Sequence, residues 1–195
     1  MVFKFIKLEI ADDIALLTLN QPGTRNGLTA TMQEEMLTAL AHLREGDDAR
    51  ALILTGAGKS FCAGADLDQL EAGGSGLSVG QSTAKIMKEV SNPLILALQN
   101  LAIPMVSAVN GAAAGAGVSL ALAADIVVAS RSAFFLTPFL PRLGIVPDMG
   151  DLALAAPSRS CTYARPDVAG RSFVCGAGAG MGLDLVLRRR RGADG

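Results

Sequence analysis

The stretch from Ile103 to Ile126 reads IPMVSAVNGAAAGAGVSLALAADI, and almost every residue in it is small or apolar. Within it, the residues from Gly111 to Gly117 are glycine and alanine alone. A run without bulky side chains allows two segments of backbone to approach each other closely. The stretch therefore predicts either very tight packing or a place where backbone groups meet something else, such as a ligand.

The composition of the chain favours one globular domain with a substantial core. The chain has 195 residues, 50% of them hydrophobic, and a formal net charge of -1. Because there is no basic excess, we expect no nucleic-acid partner. The single histidine and the three cysteines show no metal-ligand spacing, so we expect neither a zinc site nor a Ser-His-Asp triad.

The chain shows no pattern of a secretory signal or a membrane span. Residues 1–10 include Lys4, Lys7 and Glu9 and contain no long apolar run. The longest apolar stretches are short and rich in glycine, which does not suit a membrane-spanning helix. We therefore expect no membrane partner and a reducing, cytoplasmic location.

Hydrophobic patterns predict alternating strands and helices. Apolar runs predict strands at residues 3–10, 14–19, 51–55, 105–109 and 126–129, with Asp12 and Asp13 as the first turn. Thr29 is expected to cap a helix that runs to Leu43, and a second helix is predicted at 82–101. A loop is predicted at 72–80, and a turn followed by a helix at 111–122. This order is typical of an α/β layered domain.

Two segments that follow predicted strands are rich in glycine in the same way. They are FCAGAD, from Phe61 to Asp66, and NGAAAGAG, from Asn110 to Gly117. In each, a helix that starts just after the turn would leave backbone N–H groups free and facing outward. Two such groups directed at one point would stabilise a negatively charged oxygen. The alternative interpretation is that both turns only pack a helix against a strand.

The two turns resemble the oxyanion-hole motifs of the crotonase superfamily, the enoyl-CoA hydratase/isomerase enzymes. LTLNQPGTRNGL, from Leu17 to Leu28, resembles the N-terminal pattern of that family, and LPRLGIVPDMG, from Leu140 to Gly150, resembles its third block. The resemblance runs in order through residues 1–150. It implies an α/β fold built as a spiral of strand-strand-helix repeats, and an acyl-CoA thioester as the substrate.

The resemblance also implies roles for individual residues. The thioester oxygen would accept hydrogen bonds from the backbone N–H groups of Ala65 and Ala116. Gly64 and Gly115 precede these residues and are expected to lie against the substrate. Asp66 is expected to position the first turn beside the substrate rather than to react.

Binding of the coenzyme A part of the substrate is expected to involve basic residues. Arg25 and Lys59 are candidates for contact with its phosphates, although exposed basic residues are also common without such a role. No cofactor is expected, because coenzyme A belongs to the substrate. The resemblance further implies that the parent enzyme forms a homotrimer or a dimer of trimers.

The acidic residues favour an isomerase over a hydratase. Hydratases of the family carry two glutamates, and the matching positions here are Ser119 and either Phe139 or Leu140. The acid that remains, Asp148, resembles the single acid of family isomerases, notably the ring-opening isomerases of phenylacetyl-CoA breakdown. An apolar pocket would raise the pKa of this carboxyl and suit it to moving a proton between two carbons. The alternative is that Asp148 only caps a helix at a Pro-Asp turn.

The composition changes after Gly150. Residues 151–195 contain seven arginines and no lysine, whereas residues 1–150 contain five of each. A basic tail and an ordinary disordered tail are two interpretations. We favour a third, a reading-frame error. When the reading frame starts at the second base of each codon, the codons for Met181 and Gly182 must give TGG, which encodes tryptophan. In that same frame, residues 150–161 and 174–185 can both be translated into sequences that resemble the family.

Two regions are therefore expected. Residues 1–150 form a crotonase-like, acyl-CoA-binding core, and residues 151–195 form an irregular or disordered tail that does not belong to the family. Family members are longer than this chain, and the resemblance implies that their C-terminal helices complete the active site and the trimer. The alternative to an active enzyme is an inactive, truncated remnant of one.

Overall fold

The long apolar strands pair into one large sheet. A computed structural model describes residues 1–66, 79–137 and 183–187 of the chain. In spatial order, the six strands of the sheet are β1 (Ile6–Ala11), β2 (Ile14–Leu19), β3 (Ala51–Gly56), β5 (Met105–Val109), β7 (Ile126–Ser130) and β9 (Leu183–Leu187). Neighbours from β2 to β7 are parallel, and the two edge strands pair antiparallel.

Three short strands form a second sheet, in which both pairs are parallel: β4 (Ser60–Cys62), β6 (Ala112–Ala114) and β8 (Phe134–Leu136). Each follows a strand of the large sheet after two or three residues, so that β4 follows β3, β6 follows β5 and β8 follows β7. Parallel strands need crossover connections, and helices supply several of them. This repetition of a long strand and a short strand confirms the predicted α/β spiral.

The described α-helices are α1 (Ala30–Glu45), α2 (Val79–Ile86), α3 (Asn92–Gln99) and α4 (Ala116–Leu122). Thr29 caps α1 as predicted, because its hydroxyl accepts a hydrogen bond of 3.0 Å from the N–H of Met32. The helix predicted at 82–101 is present as α2 and α3, joined by a π-turn at Met87–Ser91. Pro93 cannot donate the usual helical hydrogen bond, which accounts for a wider turn just before it.

One buried cluster holds the large sheet against the helices. Core-facing residues of its strands are at most 2% exposed: Leu17, Leu52, Leu54, Met105 and Val127. Helices α1 and α3 contribute apolar side chains to the same cluster: Met32, Met36, Leu94 and Leu98. Burial of one such side chain contributes roughly 1.5–3 kcal/mol. The strand ends that carry the candidate site therefore extend from a well-packed base.

The small sheet is missing from the sequence-based prediction. The predicted turn and helix at 111–122 are correct only from Ala116 onward, because Ala112–Ala114 form β6. A strand of three residues is too short to show the alternation that identifies longer strands. Residues 79 and 80 of the loop predicted at 72–80 belong to α2, and the rest of that loop lies outside the described residues.

Five residues of the predicted tail have a described backbone. Leu183–Leu187 form β9 and pair antiparallel with the whole of β7. No regular structure is predicted for this segment, but pairing at an open sheet edge uses backbone groups and asks little of the side chains. The remaining residues of 151–195 lie outside the described residues, so the boundary at Gly150 and the reading-frame error are still predictions.

The predicted turn at Asp12 and Asp13 is confirmed, and it allows a test of backbone strain. Their φ angles are 51° and 62°, as a two-residue type I′ hairpin turn requires. Asp13→Gly should raise the free energy of unfolding by about 0.5 kcal/mol, and Asp13→Ala should lower it by about 1 kcal/mol, because glycine adopts positive φ without strain and alanine tolerates it less well than aspartate. Urea denaturation of both variants measures the difference. Equal destabilisation by both would contradict this turn geometry.

Candidate active site

The FCAGAD turn is attached to the loop that precedes α1. The N–H of Leu28 donates to the carbonyl oxygen of Gly64 at 2.8 Å, and the N–H of Asp66 donates to the carbonyl oxygen of Leu28 at 3.1 Å. These bonds use the residues on either side of Ala65. Successive N–H groups of an extended segment point in opposite directions. The N–H of Ala65 therefore faces away from Leu28.

The second turn is held by β8. The N–H of Gly115 donates to the carbonyl oxygen of Leu136 at 2.9 Å. Gly115 has φ 52° and ψ −123°, a conformation that side chains strongly disfavour. Ala116 is the first residue of α4, and the first N–H groups of a helix have no acceptor within it. The N–H of Ala116 is thus available to an acceptor outside the helix.

The two turns lie side by side. A methyl group on Gly64, where φ is +94°, would lie 2.7 Å from the carbonyl oxygen of Ala114 and 3.5 Å from the nitrogen of Ala116. Because a C–C bond is about 1.5 Å long, the Cα of Gly64 lies within about 5 Å of the Ala116 nitrogen. Ala65 follows Gly64 directly. The two N–H groups assigned to the oxyanion hole thus belong to adjacent segments, while their direction toward one point is still a prediction.

Tight packing, the alternative interpretation of the glycines, is present as well. A methyl group at Gly117 would collide with the carbonyl oxygen and Cβ of Cys62. A methyl group at Gly111 would collide with the carbonyl oxygen of Lys59. The two interpretations do not exclude each other, because close packing of these glycines is what brings the turns together.

Cys62 is a buried free thiol at the end of β4. Burial raises the pKa of Cys62 to about 12, and a hydrogen bond with the backbone of Gly64 partly counteracts that rise. The thiol therefore stays protonated at neutral pH and is not a nucleophile. Its role is to pack against Gly117.

The two basic candidates lie on adjoining loops. A methyl group at Gly58 would lie 3.0 Å from Cβ of Pro22, so the loop that carries Arg25 touches the turn that carries Lys59. Both basic side chains are exposed. Asp66 is half-buried and already has an interaction partner. Contact of these residues with coenzyme A stays a prediction.

The predicted reacting acid has no described position. Asp148 lies outside the described residues, as do Phe139 and Leu140, one of which matches a family glutamate. Ser119, which matches the other glutamate, is buried in α4 with 6% of its surface exposed. The assignment of Asp148 as the reacting acid therefore stays a prediction.

Sequence reasoning missed two asparagines that hold the turns. Asn26 is fully buried and Asn110 is half-buried, and the side chains of both bind the turn between β3 and β4. Both lie inside the segments that carry the family resemblance, 17–28 and 110–117. An amide side chain next to glycine in each segment was the available signal.

The described residues contain neither a metal-binding cluster nor a membrane-spanning helix. Within residues 1–66, 79–137 and 183–187, no three His, Cys, Asp or Glu side chains are grouped as in a metal site. No helix in those ranges has the length and apolarity needed to cross a membrane. The absence of a cofactor and the cytoplasmic location are untested predictions.

Comparison with known proteins identifies the family. The model of the family described as Enoyl-CoA hydratase/isomerase matches residues 9–157, more than half of the chain. The chain belongs to the enoyl-CoA hydratase/isomerase family. The predicted resemblance to that family is confirmed, and the family is one of enzymes.

Relatives of this enoyl-CoA hydratase/isomerase family member include both kinds of enzyme. A "Probable enoyl-CoA hydratase" of Rhodobacter capsulatus is 43% identical over 150 residues, which cover 77% of this chain and 55% of that protein. The 1,2-epoxyphenylacetyl-CoA isomerase of Escherichia coli is 37% identical over 177 residues, which cover 90% of this chain and 62% of that protein. The chain thus spans little more than half the length of these relatives.

Solved structures of the enoyl-CoA hydratase/isomerase family share the fold. The crystal structure of an enoyl-CoA hydratase from Polaromonas sp. JS666 matches with a TM-score of 0.75 and 32% sequence identity. The match covers 87% of this chain and 65% of that one. The spiral of paired long and short strands is therefore the family's own architecture.

Proposed function

We propose that this chain is the substrate-binding part of an acyl-CoA isomerase that works through a thioester enolate. In this proposal the N–H groups of Ala65 and Ala116 bind the thioester oxygen, and Asp148 moves the proton. The observation that carries the proposal is the position of Gly64, whose Cα lies within about 5 Å of the Ala116 nitrogen. That position makes the two candidate donors neighbours.

The oxyanion hole supplies the main stabilisation of the reaction intermediate. Removal of a proton beside a thioester carbonyl moves negative charge onto the carbonyl oxygen. Two N–H donors that are already in place stabilise this charge without reorganisation, and one such donor typically accounts for about 10²–10³-fold in rate. Ala65 is an exposed residue, as a turn that meets a ligand from solvent requires.

The proton transfer is assigned to Asp148. Its carboxylate takes a proton from one carbon and returns it to another, so the double bond moves and the enzyme ends unchanged. Hydration would need a second acidic group to handle the attacking water, and Ser119 cannot serve as one. Among the relatives, the 1,2-epoxyphenylacetyl-CoA isomerase is an isomerase of the kind proposed here, and the Rhodobacter capsulatus protein is a probable hydratase.

The remaining assignments concern binding and assembly. Arg25 and Lys59, which are exposed on adjoining loops, bind the phosphates of coenzyme A, while Gly64, Gly115 and Asp66 shape the thioester site. No cofactor is required, because the chemistry needs only a proton carrier and an oxyanion hole. The complete enzyme is a homotrimer or a dimer of trimers, as the family resemblance implies.

Acetoacetyl-CoA tests the proposal, because its enolate mimics the charged intermediate and absorbs in the ultraviolet. Binding to the 195-residue chain should increase the enolate absorbance, and free coenzyme A should displace the probe. If acetoacetyl-CoA binds no more tightly than coenzyme A and forms no enolate, the oxyanion hole is absent. An enolate without turnover of any enoyl-CoA would identify the chain as an inactive remnant.

A further inference from the structure

The carboxamide of Asn26 makes four hydrogen bonds to backbone. Asn26 is fully buried. Its Oδ1 accepts from the N–H of Gln21 at 2.9 Å. Its Nδ2 donates to the carbonyl oxygens of Ala57, Ser60 and Phe61 at 3.0, 2.9 and 3.2 Å. One interior side chain therefore ties the loop before α1 to the start of β4.

Asn110 holds the same turn from the other side. Its Oδ1 accepts from the N–H of Gly56 at 3.3 Å, and its Nδ2 donates to the carbonyl oxygens of Gly58 and Ser60 at 3.0 and 3.4 Å. The carbonyl oxygen of Ser60 is thus shared by both carboxamides. Since the two asparagines come from different loops, the Ser60 carbonyl oxygen connects the two loops through hydrogen bonds.

Ser60 lies where the two oxyanion segments originate. Ser60 begins β4, and the chain reaches Ala65 shortly after that strand. Asn110 comes just before β6, and the chain reaches Ala116 shortly after that strand. Ser60 pairs with Ala112 across these strands, and the register of the pair is irregular. Two strands of three residues make few bonds between themselves. The contacts made by the two asparagines therefore add to the packing of Gly111 and Gly117 in setting the relative position of the two strands.

We propose that Asn26 and Asn110 are positioning residues of the oxyanion hole, which set the separation of its two N–H donors by holding Ser60 in common. This inference rests on the proposed function, in which those donors bind an enolate. All the hydrogen bonds described above for the two carboxamides go to backbone atoms, so both act through the backbone. Such donors must be held within about 0.5 Å of their productive positions, so small movements of β4 against β6 change the reaction.

The central experiment replaces Asn110 by aspartate and measures acetoacetyl-CoA at pH 8. The variant has the same shape, but its carboxylate repels the carbonyl oxygens of Gly58 and Ser60 instead of donating to them. The enolate fraction should fall roughly 10–100-fold, as expected for a displacement of up to 1 Å, while the affinity for free coenzyme A stays unchanged. The loss should shrink as the pH falls through the carboxyl pKa, because a protonated acid donates again.

Two further variants separate positioning from a general loss of stability. Asn26→Asp should lose more of the enolate fraction than Asn110→Asp, because it places the charge in the interior. If neither aspartate variant folds, Asn110→Ser takes their place, since it removes the amide donors without adding charge. Glu35→Gln is the matched control. The Glu35 carboxylate accepts from the N–H groups of Lys4 and Phe5 at 2.9 and 2.8 Å, and none of these three residues belongs to either turn. The Glu35→Gln variant should have a lower melting temperature than the unaltered chain and the same enolate fraction.

Amide NMR of the free, isotope-labelled protein decides the remaining outcomes. The Ala65 and Ala116 resonances should shift in Asn110→Asp and stay in place in Glu35→Gln. Unmoved resonances overturn the positioning role, and so does an unchanged enolate fraction in Asn110→Asp when the unaltered chain forms enolate. An unaltered chain that forms no enolate refutes the proposed function instead, and shifted resonances still support the positioning of the two turns.

Discussion

Replacing Ala116 by proline should lower enolate formation, and any turnover of enoyl-CoA, by about 10²–10³-fold, because it removes one donor of the oxyanion hole. Ala116 is the first residue of α4, where proline is well tolerated since its missing N–H has no partner within the helix. Gly115 has no side chain to clash with the proline ring. The measurements are the ultraviolet absorbance of bound acetoacetyl-CoA and kcat/KM with an enoyl-CoA.

The matched control for this substitution is Ala116→Gly. Glycine keeps the backbone N–H and removes only a methyl group, so enolate formation should stay close to that of the unaltered chain. Both variants change a residue that is 4% exposed, and their melting temperatures report any general damage. Equal enolate formation in the proline and glycine variants would show that the Ala116 N–H does not bind the thioester oxygen.

Replacing Asp148 by asparagine should reduce isomerisation by about 10²–10⁴-fold, the usual contribution of a positioned acid-base group. The amide keeps the shape of the side chain but cannot carry the proton. Binding of acyl-CoA should be nearly unchanged, so the loss should appear in kcat rather than in KM.

A control for Asp148→Asn is available at the exposed hairpin turn. Asp13→Asn removes one carboxylate in the same way, at a site with no proposed part in the reaction, and should leave the rate unchanged. The assay uses a version of the protein in which the family reading frame after Gly150 is restored. Full activity of Asp148→Asn in that protein would contradict the catalytic role and support the alternative, in which Asp148 only caps a helix.

Some parts of the molecule were determined by the sequence alone. The central strands β2, β3, β5 and β7 are continuous or alternating apolar runs, and Thr29 marks the start of α1 by its ability to accept a backbone N–H. The family was indicated by the resemblance of two glycine turns, and of residues 17–28 and 140–150, to known motifs in the same order along the chain. These features depend on neighbouring residues, which is why they can be read from a single sequence.

Only the tertiary structure decided how the candidate site is assembled. The strands β4, β6 and β8 have three residues each and exist because they pair with one another, so no local pattern reveals them. The approach of Gly64 to Ala116 requires the crossover from β4 to β5, which brings distant segments to the same place. The sharing of the Ser60 carbonyl oxygen by Asn26 and Asn110 has the same cause. An asparagine beside a glycine reads as a turn residue in sequence, and its bonds are known only when the turns have packed.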